Sequence, residues 1–227
     1  MAKKSTPKKE VSKYYQSPSF LMRFVIALSM FFSGNMLYSG MPDQMPIHWN
    51  FAGQPNDWGD KLWAIWLIPG ITLAMVFLFP VLSRIDPKRT NYDKFNEAWE
   101  LIQTTIIVFM AYIYVMQFFM IIYPDKSTLM APLMMTGVGV LFMVLGKVMG
   151  KIEQNYFVGL RTPWTLDNPV VWKKSQKVMG KAFIIGGAVF ITNAWLQVYV
   201  QTVFIITVIA MVVTPIFYSY WISRGKN

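Results

Sequence analysis

Six stretches of this chain are long and apolar enough to cross a bilayer, and no other feature constrains its fold as strongly. A membrane-crossing helix needs about 20 mostly apolar residues. The stretches at 24–40, 62–83, 101–123, 129–149, 182–200 and 202–222 meet that requirement, the first and fifth near its short limit. None contains Asp or Glu, and their only basic residue is Lys147, close enough to the end of the fourth to reach the interface. Composition agrees. Charged residues make up 14% of the chain, against about 25% in a soluble domain, so a soluble surface cannot be built. The predicted fold class is all-α: a polytopic membrane protein with six transmembrane helices and no large soluble domain.

The connections set the orientation. Of the 21 Lys and Arg residues, 19 fall in the N-terminal segment, the second and fourth connections and the C-terminal tail, counting Lys147 at the end of the fourth span with the fourth connection. Lys61 and Lys126, in the first and third connections, are the other two. By the positive-inside rule both termini are predicted to be cytoplasmic. The net charge of +10 then reads as a topology signal, and direct nucleic-acid binding is not expected. The lysine-rich start of the chain can touch anionic membrane lipid. No A-x-A-like cleavage site follows the first span, whose exit reads Leu37-Tyr38-Ser39-Gly40-Met41-Pro42, so it is read as an uncleaved helix.

Catalytic chemistry is not indicated. The chain has no cysteine and a single histidine, His48, which excludes disulfides, thiolate chemistry and His-cluster metal sites. Asp43, Asp57 and Asp60 lie near His48, but one imidazole makes a poor zinc site. No nucleophile-elbow or zinc-protease motif is present. No enzyme activity, cofactor or metal is expected.

Three connections carry candidate functions. The first, 41–61, contains Ile47, Trp49 and Phe51 alternating with His48 and Asn50, a pattern for a short extended segment. Pro46 precedes it, and Gly53, Pro55 and Gly59 punctuate the residues after it. His48, Trp49, Asn50, Gly53, Trp58 and Lys61 are the candidates for sensing an extracytoplasmic ligand. Placement of Trp49, Trp58 and Trp63 in an interfacial aromatic belt is the plainer alternative. In the second connection, Arg84-Ile85-Asp86-Pro87-Lys88-Arg89 ends a helix. Tyr92, Phe95, Trp99, Ile102 and Ile106 then recur at helical spacing, so the third span is predicted to begin as an amphipathic helix that packs on other cytoplasmic loops. Asp93, Glu97 and Glu100 suit its start. In the fourth connection, Asn168-Pro169 reads as a helix cap and first turn. The segment from Gly159 to Thr165 is too apolar for a solvated loop and too punctuated for a span, which fits a buried or re-entrant piece. Arg161 can clamp loop carbonyls, a lipid phosphate or a partner carboxylate through its five donors.

Gly146 and Gly150 have the G-x-x-x-G spacing, and Gly186 and Gly187 are small as well, pointing to close helix packing. Pro69-Gly70, Pro80 and Pro215 lie inside spans and can kink helices around a cavity. That keeps a transporter or channel for a small solute or lipid as an alternative reading.

Asn155-Tyr156-Phe157-Val158-Gly159-Leu160-Arg161-Thr162-Pro163-Trp164-Thr165-Leu166, with Trp172 and Gly180 following, resembles the signature of the SdpI family of bacterial membrane immunity proteins. Pro46-Ile47-His48-Trp49-Asn50-Phe51-Ala52-Gly53 through Lys61 resembles a small domain of unknown function that often precedes it. Lys147, Gln154 and Ser175-Gln176 depart from the usual family residues. The resemblance implies a multi-pass protein of the bacterial cell membrane. It implies immunity to a secreted antimicrobial peptide, with a second role in relaying the peptide's presence to a cytoplasmic repressor. It divides the chain into a basic cytoplasmic tail (1–19), a first helix pair with its outer loop and connector (20–100), and a four-helix region (101–227). The last carries a cytoplasmic signature loop at 150–181, whose candidate residues are Asn155, Gly159, Arg161, Thr162, Pro163, Trp164, Thr165 and Trp172.

Overall fold

A computed structural model of the chain describes residues 17–225. The lysines of the tail before Ser17 lie outside that range. Among the described residues six helices are long and apolar enough to cross a membrane, and they form an integral membrane protein. The elements are α1 (Pro18–Leu37), β1 (Gln44–Trp49), β2 (Pro55–Asp60), α2 (Lys61–Ile85), α3 (Asn96–Ile122), α4 (Met130–Met149), the short α5 (Pro163–Asp167), α6 (Pro169–Leu196) and α7 (Val200–Arg224). 3₁₀ turns at Arg89–Phe95 and Pro124–Leu129 lead into α3 and α4.

Local chemistry explains the helix starts. Ser17 caps α1 by accepting from the Phe20 N–H, with Pro18 in the first turn. Asp60 accepts from Leu62 N–H at 2.8 Å and caps α2. Asn168 accepts from Val170 and Val171 N–H groups, and Pro169 opens α6 as the residues predicted. Between α6 and α7 the chain reverses through Gln197 and Tyr199, both left-handed, at φ 54° and 43°.

The six long helices pack as two groups of three. Helices α1, α2 and α3 contact one another, and α6 lies between α4 and α7. Packing of α3 against α4 joins the groups. The most extensive contact is α4 with α6, and glycines set it. A Cβ on Gly139 would lie 2.6 Å from the Gly187 carbonyl oxygen, and one on Gly146 would lie 2.6 Å from that of Gly180. Each close approach is reciprocal, because Gly187 and Gly180 would meet the Gly139 and Gly146 oxygens at 2.5 and 2.6 Å. The spacing is seven residues on both helices, two turns, so both glycine layers fall on one seam. Gly150, which completes the G-x-x-x-G, lies outside this seam and would meet only the stem of Lys177, at 3.3 Å. Pro69, Pro80 and Pro215 are all buried, as part of the helix packing.

The first helix begins six residues before the apolar stretch that marks it, and Arg23 explains the difference. Sequence patterning treats this residue as interfacial charge. In the structure it is fully buried within α1, and its guanidinium donates to the Glu100 carboxylate on α3 at 2.7 Å. Ser19 Oγ donates to the same carboxylate oxygen at 2.6 Å. Glu100 thus neutralises a cation that would otherwise end the span, a role beyond favouring its own helix start. Tyr92, Phe95, Trp99 and Ile102 are buried on one face, as their spacing predicts, with Tyr92 and Phe95 in the 3₁₀ turn ahead of α3.

Candidate functional site

Conspicuous structure is concentrated at two faces, one at each end of the helices. At the first, β1 and β2 form an antiparallel hairpin, with an irregularity on either side of His48. The expected extended segment is therefore a strand, though it ends at Trp49 and Phe51 belongs to the turn. Asn50 makes that turn. Its side-chain oxygen accepts from Ala52 and Gln54 N–H groups at 2.9 and 3.0 Å. Gly53 completes it at φ 77°, and a Cβ there would lie 2.7 Å from the Ser127 carbonyl oxygen, so only glycine fits. Asn50 and Gly53 build the loop, whatever else they do. Lys61 closes the hairpin base through an ion pair with Asp43 at 2.9 Å and sits over the Tyr38 ring. Met45 anchors the hairpin with a fully buried side chain among Ile65, Tyr114 and Phe118.

The outward residues of this face are different. His48 Nδ1 and Asn56 Oδ1 are 2.5 Å apart on the exposed side of the strand pair. Trp58 and Trp63 expose 54% and 66% of their surface, more than hairpin packing requires, and an aromatic belt accounts for Trp63 at the start of α2. At the tip, Phe51 reaches Phe204 of α7, ring centre to ring centre 5.6 Å. Beneath the hairpin lies a mostly apolar cavity of about 380 Å³, lined among others by His48, Trp49, Phe51, Met130, Met134 and Phe204. Methionine side chains adapt to ligands of irregular shape. Sequence reading missed Met130, Met134 and Phe204, because their helical spacing is that of any span.

The opposite face is built on a buried carboxylate. Asp86 follows α2 and is fully buried. One of its oxygens accepts from Lys88 N–H at 2.7 Å; the other accepts from the Tyr92 hydroxyl at 3.1 Å and from Tyr156 N–H at 2.8 Å. The second connection is thereby tied to the signature loop. Asn155, also fully buried, organises the loop start: its amide donates to the Glu153 and Val158 carbonyls, and its oxygen accepts from Phe157 and Val158 N–H groups. Gln154 donates to the Thr165 carbonyl at 2.9 Å and accepts from Lys88 Nζ at 2.9 Å.

The remaining signature residues follow the same pattern. Gly159 sits at φ 103°, and a Cβ on it would lie 2.7 Å from Gln176 Oε1. That same Gln176 oxygen accepts from Leu160 N–H at 3.0 Å. Thr162 and Thr165 form a reciprocal capping box for α5, with Pro163 in its first turn. Trp164 Nε1 donates to Ser219 Oγ on α7 at 2.8 Å. Trp172 is buried and donates to the Ile152 carbonyl at 2.7 Å. Arg161 is exposed, and its guanidinium donates to the Tyr156 carbonyl within its own loop at 2.6 Å. The loop is thus an internally bonded, partly buried cap, anchored by buried Asn155 and Thr165, that presents Arg161, Pro163 and Tyr156 outward. Asp86, Gln154 and Gln176 escaped the candidate residues. An Asp directly before a Pro at a helix end was the available signal for the first.

A bundle of six spanning helices, a structured hairpin over an apolar cavity and a folded loop at the other end define a multi-pass membrane protein built around two sculpted faces. Comparison with known proteins identifies the group. The model of the SdpI/YfhL protein family matches residues 151–219, and that of a domain of unknown function, DUF1648, matches residues 25–73. Immunity protein SdpI of Bacillus subtilis (strain 168) is 25% identical over 210 residues, which cover 91% of this chain and 97% of that protein. No solved structure matches the chain. The chain is thus similar to the SdpI/YfhL family in its C-terminal part and to an immunity protein over most of its length.

Proposed function

We propose that this protein confers immunity to a secreted antimicrobial peptide, with the hairpin facing outward and both termini in the cytoplasm. The observation that carries the reading is the hairpin face itself. His48 borders a methionine-rich apolar cavity and Trp58 is exposed on the same hairpin, a combination suited to an amphipathic peptide. The immunity relative is alignable over nearly its whole length, which supports transfer of its role. Among the described residues only Lys61 and Lys126 are basic on the hairpin side, which supports the orientation.

Two measurements test this. The native chain has no cysteine, so single cysteines at the exposed positions Asn56 and Lys177 report sidedness. An impermeant maleimide added to intact cells should label the Asn56→Cys protein and leave Lys177→Cys unlabelled; the reverse would invert the topology. Combining His48→Ala with Trp58→Ala should lower the peptide concentration tolerated by producing cells about tenfold, the loss of one good contact. Protein level in the membrane should not change. Unchanged tolerance would remove the hairpin from the protective role.

Relay to a cytoplasmic repressor is a second reading, and α7 favours it. That helix touches the hairpin tip through Phe204 and the signature loop through Ser219, and Tyr220 packs edge-on against Trp164 at 5.4 Å. Movement at one face has a direct path to the other, where Arg161 is available to an acidic partner. Peptide-dependent appearance of a repressor in the membrane fraction is the result this reading requires.

A further inference from the structure

A groove at the signature-loop end of the molecule has no part in either reading above. It lies between the start of α6 and the end of α7, has a volume of about 580 Å³, and is lined by Val170, Val171, Lys174, Trp221, Ile222 and Arg224, with Gly225 at its end. Its chemistry is divided. Valine, isoleucine and tryptophan side chains supply an apolar wall, and Trp221 is 72% exposed. Two cations border it, and neither Lys174 nor Arg224 forms an ion pair among the described residues. The guanidinium of Arg224 lies over the Tyr220 ring, 4.8 Å from its centre. That contact orients the group and leaves its charge uncompensated. The acids of this region do not line the groove: Glu153 is held by Lys173 at 2.7 Å, and Asp167 belongs to α5. The α6 helix start adds little, because Asn168 already occupies the Val170 and Val171 N–H groups.

We propose that this groove binds the headgroup of an anionic phospholipid, with Lys174 and Arg224 on the phosphate and Trp221, Ile222 and Val170 against the upper acyl chains. Charge complementarity and location select this occupant. The groove sits where spanning helices leave the hydrocarbon, and an exposed tryptophan is the usual interfacial anchor there. A free phosphate would use the two cations and leave the apolar wall empty; a zwitterionic lipid would use the wall and bring no net charge. The fork of Arg224 suits a phosphodiester, and Lys174 adds a point charge.

The test uses the purified full-length chain in a neutral detergent, titrated with dioleoylphosphatidylglycerol or dioleoylphosphatidylcholine and read by native mass spectrometry. The wild type should retain phosphatidylglycerol in preference to phosphatidylcholine. Lys174→Gln and Arg224→Gln should each weaken phosphatidylglycerol binding about fivefold, and the pair about 30-fold, as expected for charges near a membrane surface. Lys126→Gln, at the opposite face, should have no effect. Melting temperature without added lipid serves as a fold check; both substituted side chains are exposed, so it should not move. If the double variant does unfold, the single variants carry the test. Equal affinity in wild type and variants, or equal binding of the two lipids, would overturn the proposal. Displacement of the lipid by millimolar inorganic phosphate would also overturn it, by reassigning the site to a free anion.

Discussion

Replacing Asp86 with alanine should lower stability by about 3 kcal/mol and open the signature loop to protease. The size of the loss comes from the contacts the carboxylate holds. It accepts from two backbone N–H groups and one hydroxyl, at 2.7, 2.8 and 3.1 Å. A hydrogen bond to a charged acceptor contributes about 1.5–3 kcal/mol, and a buried donor left without a partner costs about 1–3 kcal/mol. The Tyr156 backbone is only partly buried and the Tyr92 hydroxyl has Asn155 Oδ1 3.4 Å away as a fallback, so the total stays well below the sum of three full losses. Asp86→Asn separates charge from shape. Asparagine keeps one acceptor but turns an amide group towards donors, so about half the loss is expected. The measurement is thermal unfolding of the detergent-solubilised protein, with limited proteolysis between residues 155 and 166 as a local readout. A variant that melts like the wild type, with the loop protected, would mean that Asn155 and Gln154 hold the loop without Asp86.

That prediction rests in part on a contact between residues 70 apart, and such contacts mark the limit of sequence reading here. The spans were legible because hydropathy is a property of consecutive residues, and the start of α6 because Asn168 and Pro169 are adjacent. The burial of Tyr92, Phe95, Trp99 and Ile102 followed from their spacing alone. The Asp86–Tyr156 link, the Gln176 bond to Leu160 and the approach of Gly146 to Gly180 each require knowing which segments become neighbours. Gly146 and Gly150 stand four apart, yet the working seam has a spacing of seven. Either choice puts glycines on a helix face, and only the facing helix distinguishes them. The hairpin was legible in outline. Its turn residues announced themselves, whereas the cavity beneath it depends on Met130, Met134 and Phe204 from two other elements. Candidate residues in the two loops thus divided by role. Asn50, Gly53, Asn155, Gly159 and Thr165 build structure, and His48, Trp58 and Arg161 remain available to a ligand or partner.

Arg23→Ala should destabilise the helix bundle by about 3 kcal/mol, although the residue removed is a cation within an apolar span. On transfer scales alone, losing that charge should help insertion, though by less than the cost of about 2.5–3.5 kcal/mol for arginine at a helix centre, because Arg23 lies in the second turn of α1. The partner reverses the sign. The Arg23 side chain is fully buried, the Glu100 side chain is 19% exposed, and they meet at 2.7 Å. Removing one member of a buried pair typically costs about 3–5 kcal/mol, because the other charge stays behind without compensation. Partial exposure of Glu100 and its bond from Ser19 Oγ put the expected loss at the lower end. Arg23→Lys should recover part of it, since a lysine supplies the charge without the planar fork that also reaches Thr104 Oγ1 at 3.3 Å. The decisive comparison is the double variant Arg23→Met with Glu100→Met. With both charges gone and apolar volume retained, stability should return to within about 1 kcal/mol of the wild type. Thermal unfolding in detergent gives all four values. If Arg23→Ala and the double variant are equally destabilised, the cost lies in lost packing and hydrogen bonds around α1, and the attraction between Arg23 and Glu100 contributes little.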